Sequence, residues 1–139
     1  MAKVIYNRII PFGGTKAITL WPFIFARKSA KWLADYVVNH EKIHLVQQAE
    51  VLAVSVAVMA VLCVTCLSWW CMLASPLVYF AWYAIEYVVR LFAYGRGHEA
   101  YKNVSFEQEA YLNERDMTYL ENRKAFAWIK YLTKKTYRR

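Results

Sequence analysis

From Val51 to Ile85 the chain runs VLAVSVAVMAVLCVTCLSWWCMLASPLVYFAWYAI, 35 residues without one Asp, Glu, Lys or Arg. A helix that crosses the hydrocarbon core of a bilayer needs roughly 20 apolar residues. An integral membrane protein is therefore expected. The composition agrees, with 59% hydrophobic and 17% aromatic residues in 139, both high for a soluble domain. That length suits a single membrane-embedded domain over residues 1–139.

Charge is concentrated at the two ends. Of the 18 Lys+Arg, seven precede position 43 and eleven follow position 89, against 10 Asp+Glu and a net charge of +8. The positive-inside rule then places both termini in the cytoplasm and points the turn near Ser68–Ser75 outward. A basic chain suggests nucleic acid or an anionic membrane as partner. The uncharged run favours the membrane, and no nucleic-acid-binding module is present. No cleavable signal is evident, because Pro11, Gly13 and Gly14 interrupt the first apolar segment. Cys63 and Cys66 form a lone C-x-x-C inside the apolar run, which reads as small buried hydrophobes rather than ligands.

The expected fold is mainly α. Residues 1–28, β-branched and aromatic and broken by PFGG, read as a β-hairpin, with Pro22 confining the second strand to an edge and Trp21 and Phe23 in the core. Ser29 is a candidate N-cap for a helix over 29–74 that has no Gly or Pro and enters the bilayer as the first span. Ser75-Pro76 marks a break before a second span at 76–95, where Glu86 and Arg90 stand four apart and can pair. A cytoplasmic helix is expected over 105–136, with Ser105 as N-cap and Gln108 in a capping box. Its basic end carries Lys124, Lys130, Lys134, Lys135, Arg138 and Arg139 among aromatic residues, as suits contact with anionic headgroups.

Beside the apolar run lies His40-Glu41-Lys42-Ile43-His44, an H-E-x-x-H string on the expected first helix. Two histidines four apart project from one helix face, so both imidazoles can converge on one Zn2+. Glu41 lies close enough to act as general base toward a water at that ion. A catalytic zinc site needs a third protein ligand and an open position. Asp35, Glu50, Glu86, His98, Glu99, Glu107 and Glu109 are candidates. An antiparallel second arm turning near residue 73 would bring position 102 level with His44, leaving Glu86 about 24 Å away along the axis. Glu107, Tyr111 and Glu114 then share one face of the following helix, and Glu109 points elsewhere.

HExxH followed by a Glu on a later helix is the gluzincin pattern, and FEQEAY resembles the E-x-x-A-D segment of membrane gluzincins: HtpX-like proteases, CAAX prenyl proteases and penicillin-sensing antirepressor proteases. This resemblance implies a gluzincin-like minimal core with His40, His44 and Glu107 as metal ligands and Glu41 as catalytic base. Tyr111 stands where that family has an Asp bound to a zinc-ligating His. Glu109, His98, Gln47 and Gln48 remain as alternative ligands or outer partners, and Tyr111, Tyr101 and His98 as oxyanion donors. In that family the edge strand before the metal helix pairs with substrate; Ala17–Arg27 would be that strand. Across most of the chain, IIPFGGTKAITLWPFIFAR, NHEKIHLVQQ, WYAIEYVVRL and AYKNVSFEQEAYLNERD resemble short bacterial HExxH membrane proteins of the Bacteroidetes type. That second likeness supports the segment layout and a multi-pass place in the bacterial inner membrane, and carries no activity with it. The functional expectation is a membrane-bound zinc metallopeptidase acting on a peptide or membrane protein. Its alternative is a non-catalytic metal-binding adaptor on a degenerate protease scaffold.

Overall fold

The computed structural model describes residues 3–10, 15–29, 33–65 and 68–133. The fold is mainly helical with a small sheet at the N-terminal end. Strands β1 (Lys3–Asn7), β2 (Ala17–Leu20) and β3 (Phe23–Arg27) form that sheet in the order β1-β3-β2. β3 pairs parallel to β1 and antiparallel to β2. The expected two-stranded hairpin is thus three strands, and the segment after Pro22 is central rather than an edge. Pro22 escapes the ladder by sitting in the Trp21–Pro22 turn between β2 and β3, where its missing N–H costs no pairing.

One face of the sheet packs on the first long helix through Thr19, Ile24 and Ala26, all buried. The opposite face leaves Phe23 39% exposed, and Trp21 in the turn is 51% exposed, so neither belongs to the core as expected. Strand alternation explains Phe23: its neighbour Ile24 takes the inward direction.

Helix α1 spans Asp35–Thr65. It starts six residues after Ser29, which lies in a turn, and it ends well short of position 74. A 3₁₀ segment, Trp69–Leu77, follows and contains Pro76. It leads without a break into α2, Val78–Tyr94. Ser75-Pro76 therefore lies inside the second arm and not at its start. Ser55 Oγ donates to the Ser75 carbonyl at 3.1 Å, fixing how the arms align. Helix α2 stops at Gly95, whose φ of +67° suits a residue without Cβ and whose N–H donates to the Leu91 carbonyl.

The α1 helix and the Trp69–Tyr94 stretch are each long and apolar enough to cross a membrane. Apolar side chains stand exposed along both, Val54, Val58 and Val61 on α1 and Ile85, Val88 and Phe92 on α2. Such a surface is costly in water and favourable in lipid.

Beyond Gly95 come α3 (Gly97–Lys102), α4 (Ser105–Asn113), α5 (Tyr119–Asn122) and a 3₁₀ turn at Ala127–Tyr131. The single helix expected over 105–136 is accordingly broken into short pieces, because its polar residues are claimed by other elements. Ser105 is not the N-cap of α4; Val104 holds that position. Glu86 does the capping from α2, accepting from Ser105 N (2.9 Å) and Ser105 Oγ (2.7 Å). Gln108 bonds back to Asn103 instead of closing a capping box. Arg90 pairs with Glu86 at 3.0 Å and donates to the carbonyls of Tyr131 and Leu132. These bonds anchor α4 and the C-terminal turn on α2, with Phe106, Val104, Tyr79 and Trp128 as the apolar centre.

Candidate metal centre

The sequence of α1 sets the first half of the site by local geometry alone. His40 and His44 lie one turn apart on the face turned toward α4, and their Nε2 atoms are 3.1 Å from each other. Glu107 enters from the first turn of α4, with Oε2 3.4 Å from His40 Nε2 and Oε1 3.4 Å from His44 Nε2. All three side chains are buried, and together they can hold a metal ion. Donors bound at 2.0–2.1 Å in a tetrahedron are separated by about 3.3 Å, so these spacings match a tetrahedron's edges. Glu107 Oε2 has no hydrogen-bond partner although it is buried. A buried carboxylate oxygen left so is costly unless something cationic meets it. Burial alone would raise the Glu107 carboxyl, but the imidazoles of His44 and His40 outweigh it and hold it well below the usual carboxylate range.

Both imidazoles are gripped from behind. His40 Nδ1 lies 3.0 Å from Glu114 Oε2, and His44 Nδ1 lies 2.8 Å from Gln47 Oε1. Acceptors at both Nδ1 atoms keep a proton there, so that when the rings are neutral the Nε2 lone pairs face the centre. Here the structure supplies what the sequence seemed to lack. Tyr111 stacks edge-on against the His40 ring, with centroids 4.7 Å apart, while the carboxylate behind His40 comes from Glu114. Asn39, next to the motif, places it: its Nδ2 lies 2.9–3.4 Å from the carbonyls of Asn113, Glu114 and Asp116. We expect Glu114→Ala to weaken divalent-metal affinity by about 10- to 100-fold, the usual effect of losing such a partner. Glu114→Gln, whose amide oxygen still accepts, loses less, as competition with a chromophoric chelator would read.

Glu41 is buried beside the triad. Thr19 of β2 donates its hydroxyl to Glu41 Oε2 at 2.6 Å, and Thr19 Oγ1 also lies 3.0 Å from the Glu41 carbonyl. A cavity of 280 Å³ opens on His40, Glu41, His44 and Glu107, with β2 on one wall and Tyr79, Tyr83 and Tyr101 on another. Tyr83 donates to Glu107 Oε1 at 3.1 Å. Tyr101 packs edge-on against Tyr111, and burial together with the Glu107 charge pushes its phenol well up, so it stays protonated.

Gln48 has a different duty from Gln47. It accepts from Trp21 N (2.8 Å) and donates to the Thr19 carbonyl (2.9 Å), clamping the end of β2 to α1. Lys16 O accepts from Arg27 N, so even-numbered residues of β2 face β3, while Ala17 and Thr19 turn their backbone groups outward. The outward edge therefore lies on β2 alone, not along Ala17–Arg27.

Other expected site residues are placed elsewhere. Glu109 is fully buried but committed to Arg123, Tyr119 and Gln47. His98 is exposed on α3, and Asp35 is exposed at the start of α1, so neither joins the triad. Lys124 and Lys130 are exposed; Lys134, Lys135, Arg138 and Arg139, like Cys66 and PFGG, lie outside the described residues. Thr19, Asn39, Glu114, Tyr79 and Tyr83 were not legible as site residues. Only Glu114 had a signal, its shared face with Glu107. Comparisons with protein-family models, curated proteins and solved structures find no match to this chain.

Proposed function

We propose that this chain is a membrane-bound zinc metallopeptidase of gluzincin type, hydrolysing peptide bonds at the cytoplasmic face of a bacterial inner membrane. The observation that carries the reading is the buried Glu41 carboxylate, oriented by Thr19 in the same cavity as a three-donor His40–His44–Glu107 set. Two imidazoles and one carboxylate, with room for a fourth position, form the donor set of catalytic rather than structural zinc. Zinc held there supplies a Lewis acid that acidifies water to a pKa of about 7 and polarises a carbonyl.

The chain's own residues do the rest. Glu41 takes the proton of the attacking water and delivers it to the leaving amine. Tyr83 and Tyr101 offer hydroxyl donors to the oxygen that becomes negative in the transition state. The outward edge of β2 offers the N–H and carbonyl of Ala17 and the N–H of Thr19 to an extended peptide. The apolar faces of α1 and α2 favour a membrane-embedded hairpin, and the two-ended placement of Lys and Arg favours cytoplasmic termini.

The test is Glu41→Gln in detergent-solubilised protein. We expect zinc content by mass spectrometry to match the wild type while hydrolysis of a peptide library falls by about 10²- to 10⁴-fold, the range for losing a general base. Equal hydrolysis in wild type and variant would end the peptidase reading and leave the metal-binding adaptor.

A further inference from the structure

Next to the metal-lined cavity lies a second recess of 290 Å³, lined by Leu20, Trp21, Leu52, Ser75, Pro76 and Phe80 among others. The two spaces are neighbours, with Gln48, Tyr79 and Phe80 lining both. From these features we infer that the recess seats one large apolar side chain of the substrate, directly beside the bond to be cut. Its substrates would then be apolar, membrane-inserted peptide segments. The inference rests on the peptidase reading above and names the substrate class of that site.

Three observations carry it. First, a peptide extended along β2 cannot continue as a paired strand. The Gln48 amide already takes the Thr19 carbonyl and the Trp21 N–H, the groups the next paired residue would need. A chain paired at Ala17 and Thr19 must turn there, and the space open to it is the recess. Second, the walls are mostly apolar, and of their polar groups the Gln48 amide is engaged by β2 while the hydroxyl of buried Ser75 has no partner in the described structure. A buried hydroxyl without a partner is a position where a ligand's polar atom lowers the energy. A tyrosine or tryptophan side chain, apolar in body and polar at the tip, has that form. Third, the recess is displaced from His44 toward Leu52, about 12 Å along α1 in the direction of the uncharged run. Under the membrane reading, a residue seated there lies at hydrocarbon depth, where a charged side chain is expensive.

The experiment uses the full chain in detergent, loaded with zinc, and an end-blocked peptide library whose cleaved bonds are mapped by mass spectrometry. We expect a large apolar residue on one fixed side of every cleaved bond, with Gly or Asp there lowering cleavage at least about 10-fold. Leu52→Trp should shift selection toward Gly and Ala, and Leu52→Ala should extend it toward Trp, each retaining its zinc. An unchanged profile in both variants, or equal cleavage beside charged residues, overturns the inference while leaving the peptidase reading intact. A benzophenone-bearing apolar peptide is also photo-crosslinked to zinc-loaded Glu41→Gln protein. Attachment within Leu20–Pro22 or Pro76–Phe80 supports the recess, and attachment elsewhere or none overturns it. If the wild type cleaves no peptide, the peptidase reading fails, and this crosslink alone decides whether the recess binds apolar side chains.

Discussion

Replacing His44 with Ala should abolish stoichiometric metal binding by this protein. Wild type is expected to carry close to one equivalent, and the variant to bind more than about 100-fold more weakly, beyond the range for losing a mere outer partner of a ligand. The geometry dictates this. His44 contributes one of three converging donors, and its removal leaves His40 Nε2 and the Glu107 carboxylate, 3.4 Å apart, as a two-point site. The variant also loses stability, because Glu107 is buried and its oxygens then face an empty volume rather than an imidazole. A buried acceptor left unpaired costs about 1–3 kcal/mol, more when charged.

Glu107→Gln separates the two effects. Its amide oxygen can still accept from Tyr83, and no buried charge remains, so metal is lost with less destabilisation than in His44→Ala. Metal content by mass spectrometry and thermal melts in detergent read both quantities. Retention of stoichiometric metal by either variant would dissolve the proposed centre.

The second large effect is predicted far from the cavity. Arg123 opens the basic C-terminal stretch in the sequence, yet its side chain is only 3% exposed and lies between two carboxylates. It bonds both oxygens of Glu50 on α1 and both oxygens of Glu109 on α4. Burial alone would lower the guanidinium, but the hydrogen bonds it donates to Glu50 and Glu109 prevail and raise it, so it remains charged. Tyr119 adds a hydrogen bond to Glu109 at 2.8 Å, and Phe126 N adds one to Glu50 at 2.8 Å.

Removing the cation from such a group strands two buried anions. Arg123→Met is therefore expected to cost about 3–5 kcal/mol, as measured when one partner of a buried pair is deleted. The damage should reach the metal. Glu109 Oε2 accepts from Gln47 Nε2 at 3.0 Å, and Gln47 holds His44 in its tautomer. Arg123→Lys should recover only part of the loss, because an ammonium is a point charge where a planar fork serves two carboxylates. Thermal melts combined with zinc titration would check this; an Arg123→Met protein as stable as wild type would show the cluster to be dispensable.

What could be read before the structure follows from how errors propagate along a chain. The HExxH face needed only helical geometry over five residues, and the apolar run needed only composition. The relation of α1 to the second arm needed the end of α1. Setting that end at 74 instead of Thr65 displaced every residue expected opposite the metal motif. Tyr79, not position 102, is the residue that reaches His44, its hydroxyl 3.4 Å from Nδ1. Glu86 keeps the expected pairing with Arg90 and also caps α4, a duty that only the tertiary structure assigns.

Sequence alone determined two things: a helix face with two imidazoles and a carboxylate, and an uncharged stretch long enough for lipid. Both are set by residues near one another in the chain, where backbone geometry leaves little choice. Tertiary structure decided which carboxylate stands behind His40, which hydroxyl orients Glu41, which strand presents its edge, and that Arg123 lies inside. The side-chain contacts among these join residues from 14 to 74 positions apart. Their meeting depends on where every intervening turn falls, and no local rule fixes that.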